Sequence, residues 1–228
     1  SRDVFELSRG DVAKYSCKLN MPGSYQLFNA FYDYDSKKPI DFLDKLANSF
    51  SAAKASRNRF KLVKKYLQNI LKEKYNKNPM LILSIGGGNA RAEIEAMNDF
   101  NKNVTLAENY LVVVDGSDAE KDLMELTSKK GLEKIVHFIK RKLDFSKEQN
   151  FIEFLELARE NFRYNFNGTD VNFAVGINEY LDVGSKDNRE IDNMTRGFFD
   201  IQNNNGFLIT ANTGSHDRIR FLEKGLGW

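Results

Sequence analysis

The sequence predicts an α/β protein: a doubly wound, mostly parallel sheet with helices on both faces, preceded by a helical segment. Three observations predict it. From Met80 onward, short apolar runs alternate with longer amphipathic stretches, the order that builds parallel sheets through right-handed crossovers. The apolar runs are continuous rather than alternating, as strands covered on both faces are. Three consecutive glycines, Gly86, Gly87 and Gly88, follow the first run directly, where the chain must turn tightly from strand to helix.

Up to residue 78 the pattern is helical, and 1–78 is expected to form an extension or lid on a sheet domain at 79–228. Asp41, after Pro39, is placed to cap one helix. Ser56 is expected to cap another, in which Phe60, Val63, Leu67, Ile70 and Leu71 recur at helical spacing. Its opposite face carries Lys61, Lys64, Lys65 and Lys72 and reads as a solvated surface. Asn76 to Pro79 stops it. The stretch 21–39, MPGSYQLFNAFYDYDSKKP, is rich in aromatics and turn residues and is expected to be a loop or lid. Strands are predicted at 80–85, 110–114, 135–139, 171–175 and 207–210, with helices at 91–99, 119–130, 148–162 and 187–203.

Bulk properties agree with one sizeable α/β domain plus a helical addition: 228 residues, 41% hydrophobic and 29% charged. A formal net charge of +2 gives no basic footprint, so nucleic acid is not an expected partner. Cys17 is the single cysteine, which excludes an intramolecular disulfide and a zinc site of several thiolates. No metal is expected, and a reduced, cytoplasmic setting is. No apolar run approaches the roughly 18–20 residues that span a bilayer, and the charged start SRDVFELSRGD is unlike a signal peptide.

Two segments carry chemistry. In LILSIGGGNARAEIEAM a buried strand enters Gly86-Gly87-Gly88-Asn89 and a helix follows. Backbone without Cβ atoms lets a ligand approach, and the free N–H groups of the helix start favour an anionic or carbonyl-like group. In LVVVDGSDAEKDLMEL, Asp115 ends the next strand and Gly116-Ser117 opens a loop. An acid there accepts hydrogen bonds from both ribose hydroxyls of a nucleotide cofactor, outside the carboxyl ends of the strands. An NAD site wants a small third residue in G-x-G-x-x-G/A. Counted from Gly86 that position is Arg91, whereas the looser G-x-G-x-A spacing fits Gly86, Gly88 and Ala90.

The run Ser84-Ile85-Gly86-Gly87-Gly88-Asn89-Ala90 resembles motif I, D-x-G-x-G-x-G, of the class I S-adenosylmethionine-dependent methyltransferases. The resemblance covers about 80–214 and implies a Rossmann-like domain that uses S-adenosyl-L-methionine. It implies cofactor contacts at Ser84, Gly86, Gly87, Gly88 and Asn89, at Asp115 on the ribose, at Gly116 and Ser117 in the loop that follows, and at Asp144 and Phe145 beside adenine. Gly176, Ile177, Asn178 and Tyr180, in GINEYL, match the loop bordering the methionine part and the acceptor. Arg57-Asn58-Arg59 resembles a bacterial subgroup with a helical N-terminal extension, in which Arg59 would hold the cofactor carboxylate.

Two positions depart from the motif. Ser84 stands where the family often has an acid, and Ala90 replaces the last glycine. The family's sheet also ends in an antiparallel hairpin; here SHDRIRFLEKGLGW supplies a helix, so that hairpin is expected to be missing from the chain or the sheet to be short.

The implied reaction is methyl transfer by in-line displacement to an unidentified, small-molecule acceptor. Tyr180, Tyr32 and Tyr34 are candidates to favour the sulfonium cation. Glu179 and His216 are candidate general bases, required only if the acceptor carries its proton. His137, inside an apolar run, reads as a structural residue. No Asn-Pro-Pro-Tyr-like motif follows the fourth strand, which lowers DNA and RNA bases as acceptors. Two other readings stay open: a non-catalytic module that keeps the binding fold, and an NAD-dependent oxidoreductase. Oligomeric state is left open.

Overall fold

The computed structural model describes residues 9–15, 24–34, 41–74, 78–101, 109–145, 151–175 and 189–211. The chain divides into two compact units, one within 1–62 and 213–228 and the other Val63–Asn212.

In the first unit, a single helical turn at Asp11–Ala13 precedes helices α1 (Tyr25–Asp33) and α2 (Phe42–Ser49) and the start of the long α3 (Ser51–Lys74). Asp41 caps α2 as expected, its carboxylate accepting from Asp44 N–H at 2.8 Å. Two expectations fail here. The segment 21–39 is not all loop: Ser24 accepts from Leu27 N–H at 3.3 Å and starts α1. Its aromatic content is helical packing, with Leu27 and Phe31 buried one turn apart against Val12, Ala47 and Ala53. Ser56 is no cap either. The chain bends at Phe50, in the extended region, and α3 starts at Ser51, leaving Ser56 buried inside the helix.

In the second unit, β1 (Leu81–Ile85), α4 (Arg91–Asn101), β2 (Tyr110–Asp115), α5 (Glu120–Ser128), β3 (Val136–Lys140), α6 (Ile152–Phe162), β4 (Thr169–Val175), α7 (Arg189–Ile201) and β5 (Gln202–Ala211) follow in order. The strands form one sheet in the order β3-β2-β1-β4-β5, every pair parallel. This is the doubly wound, Rossmann-like arrangement: the chain winds outward from β1 to β3, then restarts on the other side of β1. The strand order therefore reverses between β1 and β4, the switch point outside which such sheets bind ligands.

All five residues of β1 are buried, because it is central and covered on both faces. On one face Leu81, Leu83, Ile85, Tyr110, Val112 and Val114 join a core with Phe151, Phe154, Met194 and Phe198 of the α6 and α7 region. Pleating sends Ile82, Ser84, Leu111 and Val113 to the other face. There Ile94, Met97 and Phe100 of α4 are buried, as are Leu67 and Leu71 of α3. Lys64 of α3 pairs with Glu95 at 3.3 Å and Asp99 at 2.7 Å, joining α3 to α4.

β5 begins five residues before its apolar run. Gln202 follows α7 directly and pairs with Thr169 across a register irregularity. Among the described residues no helix is long and apolar enough to cross a membrane.

Candidate functional site

The carboxyl ends of β1, β2 and β3 open on a cleft of about 560 Å³. The glycine turn forms one wall. Gly86 N–H donates to Val114 O at 2.9 Å, extending the β1–β2 ladder by one step. The chain then reverses through φ values of 65° at Gly86 and 57° at Gly88, in the left-handed region where glycine carries no Cβ penalty. Ala90 shares that region, with φ 47°, and it is buried. The turn closes when Ala90 N–H donates to Gly87 O at 2.9 Å, and α4 follows.

Asp115 joins this turn to the next loop. Its Oδ2 accepts from Gly88 N–H at 2.8 Å and its Oδ1 from Ser117 N–H at 2.7 Å. Such charge-assisted bonds fix the carboxylate, and each oxygen keeps a lone pair for a further donor. Its own carbonyl accepts from Arg141 N–H at 2.9 Å, bringing the β3 exit alongside. The two loops touch closely: a Cβ on Gly116 would stand 3.2 Å from the Lys142 backbone.

Gly86, Asp115, Gly116, Ser117, Asp144 and Phe145 all line the cleft. Phe145 is buried, in an edge contact with Phe151, and its carbonyl accepts from Asn193 of α7 at 3.0 Å. Gly87, Gly88 and Asn89 follow Gly86 in the turn, with Asn89 buried. Ser84 faces elsewhere. It is buried, and its hydroxyl donates to Glu93 Oε1 at 2.9 Å. Arg59 lies in the first unit, its guanidinium 5.0 Å over the ring of Phe28. In that unit Tyr32 stacks on Phe60 at 4.5 Å, and Tyr34 lies 5.0 Å under Arg57. Gly176, Ile177, Asn178, Glu179, Tyr180 and His216 lie outside the described residues. His137 sits on β3 with an edge contact to Phe162, and burial holds its pKa below the usual 6.5.

Arg141, Lys142, Leu143 and Glu190 also line the cleft, and the charged three are not among the residues expected there from sequence. Arg141 and Lys142 immediately follow a strand, a position that could have marked them; Glu190 arrives with α7, and no local pattern predicts that it reaches the cleft. Glu93 is a further buried polar residue beside this turn. Its signal is a carboxylate on the apolar stripe of α4, spaced with Ala96, Met97 and Phe100.

The fit to a nucleoside cofactor rests on three features. Asp115 lines the cleft and keeps a lone pair on each oxygen that a hydroxyl donor could use. Ser117 Oγ is buried without a hydrogen-bond partner in the same wall, a polar atom that a ligand would satisfy. Leu143 and the buried Phe145 supply apolar surface for a base. At Arg91, where an NAD fingerprint needs a small residue, the side chain instead bonds Glu95 at 3.0 Å.

No family model and no curated protein matches the chain. Solved structures similar to it include an O-methyltransferase family protein from Burkholderia thailandensis, at 12% identity and TM-score 0.47, covering 90% of this chain and 46% of that one. A SAM-dependent methyltransferase from Thiobacillus denitrificans, in complex with S-adenosyl-L-homocysteine, matches at 11% identity and TM-score 0.43, covering 72% and 55%. The plantazolicin methyltransferase BpumL in complex with SAH matches at 14% identity and TM-score 0.41, covering 92% and 61%. The chain thus spans about half the length of the first two.

Proposed function

We propose that the chain binds S-adenosylmethionine in the cleft at the carboxyl ends of β1, β2 and β3 and is a methyltransferase acting on a small-molecule acceptor. The observation that carries this reading is the clasp at Asp115: one carboxylate, held by Gly88 and Ser117 N–H groups, in the wall of a cleft that also presents the unpartnered Ser117 hydroxyl. Asp115 is assigned to the ribose hydroxyls and Ser117 to a further polar contact. Leu143 and Phe145 flank the adenine, with Asp144 at its edge. Gly86 lets the methionine part approach the backbone.

The cofactor, when bound, supplies an electrophilic methyl group: an acceptor lone pair forms the new bond to carbon while the carbon–sulfur pair stays with sulfur. The protein's part is mainly to hold the partners about 3–3.5 Å apart and in line. Gly176, Ile177, Asn178 and Tyr180 are assigned to the methionine and acceptor side. Glu179 or His216 serves as base where the acceptor carries a proton.

Calorimetry with S-adenosylmethionine, S-adenosylhomocysteine and NAD tests the reading. One-site binding of the first two and none of NAD is expected. A folded protein that ignores both would refute it. Binding without turnover across amine, hydroxyl, carboxylate and thiol acceptors would favour the non-catalytic module.

A further inference from the structure

We infer that Glu93, a residue that does not line the cleft, is a positioning residue for it: through the Ser84 hydroxyl it supports the backbone at Gly87 and so sets the turn against which the cofactor lies. The part of this inference that concerns the cofactor rests on the S-adenosylmethionine reading.

Glu93 lies in the first turn of α4, 5% exposed. Ala96, Met97 and Phe100 on the same side of the helix are also buried. A carboxyl group in such surroundings is disfavoured unless hydrogen-bonded, and a methionine would fill similar space without that cost. Burial pushes the Glu93 carboxyl above its ordinary value of 4.5, against the opposing hydrogen bonds from its own backbone N–H and from Ser84. Ser84 is 1% exposed and donates to Oε1 at 2.9 Å, so Glu93 fixes where its hydroxyl points.

That direction matters to the turn. A Cβ built on Gly87 would fall 2.3 Å from Ser84 Oγ. The hydroxyl therefore occupies the space directly beside Gly87, which any other residue would need for its side chain. Gly87 O in turn receives Ala90 N–H, and the next residue, Gly88, donates to Asp115. The contacts run unbroken from Glu93 through Ser84 and the glycines to the carboxylate in the cleft wall. Without Glu93 the hydroxyl loses its acceptor and is free to rotate, and Gly87 loses a fixed neighbour.

The test compares Glu93→Gln, Glu93→Leu, Ser84→Ala and the Glu93→Leu/Ser84→Ala double variant. Two readouts are used: S-adenosylhomocysteine affinity, and the backbone amide resonances of Gly87 and Gly88. Gln keeps an acceptor for Ser84, so Glu93→Gln is expected to bind within about threefold of the parent. Glu93→Leu is expected to weaken binding about tenfold and to shift both glycine amides. The double variant should be no weaker than the worse single one, because both act through one hydroxyl. A purely structural role would lower the melting temperature of Glu93→Leu but leave affinity and glycine amides unchanged, and that result overturns the inference. Should Glu93→Leu not fold, Ser84→Ala carries the same comparison. Should the parent not bind S-adenosylhomocysteine, the cofactor reading falls, while the amide shifts still decide whether Glu93 holds the turn.

Discussion

Replacing Asp115 by alanine removes two interactions at once, and their sizes can be worked from the structure. The carboxylate accepts from Gly88 and Ser117 N–H groups at 2.8 and 2.7 Å. Hydrogen bonds to charged groups contribute about 1.5–3 kcal/mol each when protected from water. Asp115 is half-buried and faces an open cleft, so water replaces part of both. The expected loss of folding stability is then about 1–3 kcal/mol, at or below the lower bound of about 3 kcal/mol for the fully protected pair. For a chain of this size each kcal/mol moves Tm by about 2–4 °C, which gives a fall of roughly 2–12 °C. The same carboxylate is assigned to the cofactor ribose, so S-adenosylhomocysteine affinity should drop about ten- to a hundredfold. Asp115→Asn separates the causes: its amide oxygen satisfies one N–H but turns an NH₂ toward the other donor. It should therefore lie between alanine and the parent in stability. The assay is a thermal melt with and without saturating S-adenosylhomocysteine, read with calorimetric Kd. An alanine variant with the parent's Tm and the parent's ligand-induced shift would refute both halves of the reasoning.

Three further outcomes follow from local geometry. Arg163 caps α6 at φ 52° and is exposed, so Arg163→Gly should raise stability by about 0.5–1 kcal/mol, the left-handed cost relieved less the added unfolded-state freedom, measured by urea titration. Ala90→Val, which puts a β-branched residue at φ 47° in a buried site, should destabilise by at least about 2 kcal/mol, and an unchanged urea midpoint would contradict that. Glu93 has a folded pKa above its unfolded value. Its stabilising contribution is thus fully present below 4.5 and is lost as pH rises through the folded pKa. Glu93→Gln should therefore melt higher relative to the parent at pH 8 than at pH 4, and an equal difference at both would contradict the assignment.

The parts of the fold that the sequence made legible are those set by local rules. Buried strands read as continuous apolar runs, and the glycine turn and Asp115 marked the ends of the first two, where the structure joins them through Gly88. The aromatics and neighbouring turn residues of Tyr25–Asp33 resemble a loop, and its helical signal lies in the Ser24 cap and the one-turn spacing of Leu27 and Phe31. The early start of β5 was not legible, since Asn203, Asn204 and Asn205 have poor strand propensity and lie in the register irregularity between the Thr169–Gln202 and Val171–Phe207 pairs. In the cleft, Asp115 could be read from its place after a strand. Arg141 and Lys142 carry the same signal, directly after β3, whereas the approach of Glu190 on α7 is a product of tertiary structure alone. Glu93 was legible in principle, as a carboxylate on an apolar helical stripe, but its partner Ser84 became evident only once the strand and helix were packed together.

The most direct measurement is an experimental structure of the protein with S-adenosylhomocysteine at saturating concentration. The adenosine is expected in the cleft beside Phe145, with the ribose hydroxyls on Asp115 and a polar ligand atom on Ser117 Oγ. A ligand bound elsewhere, or a folded protein with that cleft empty under those conditions, would contradict it.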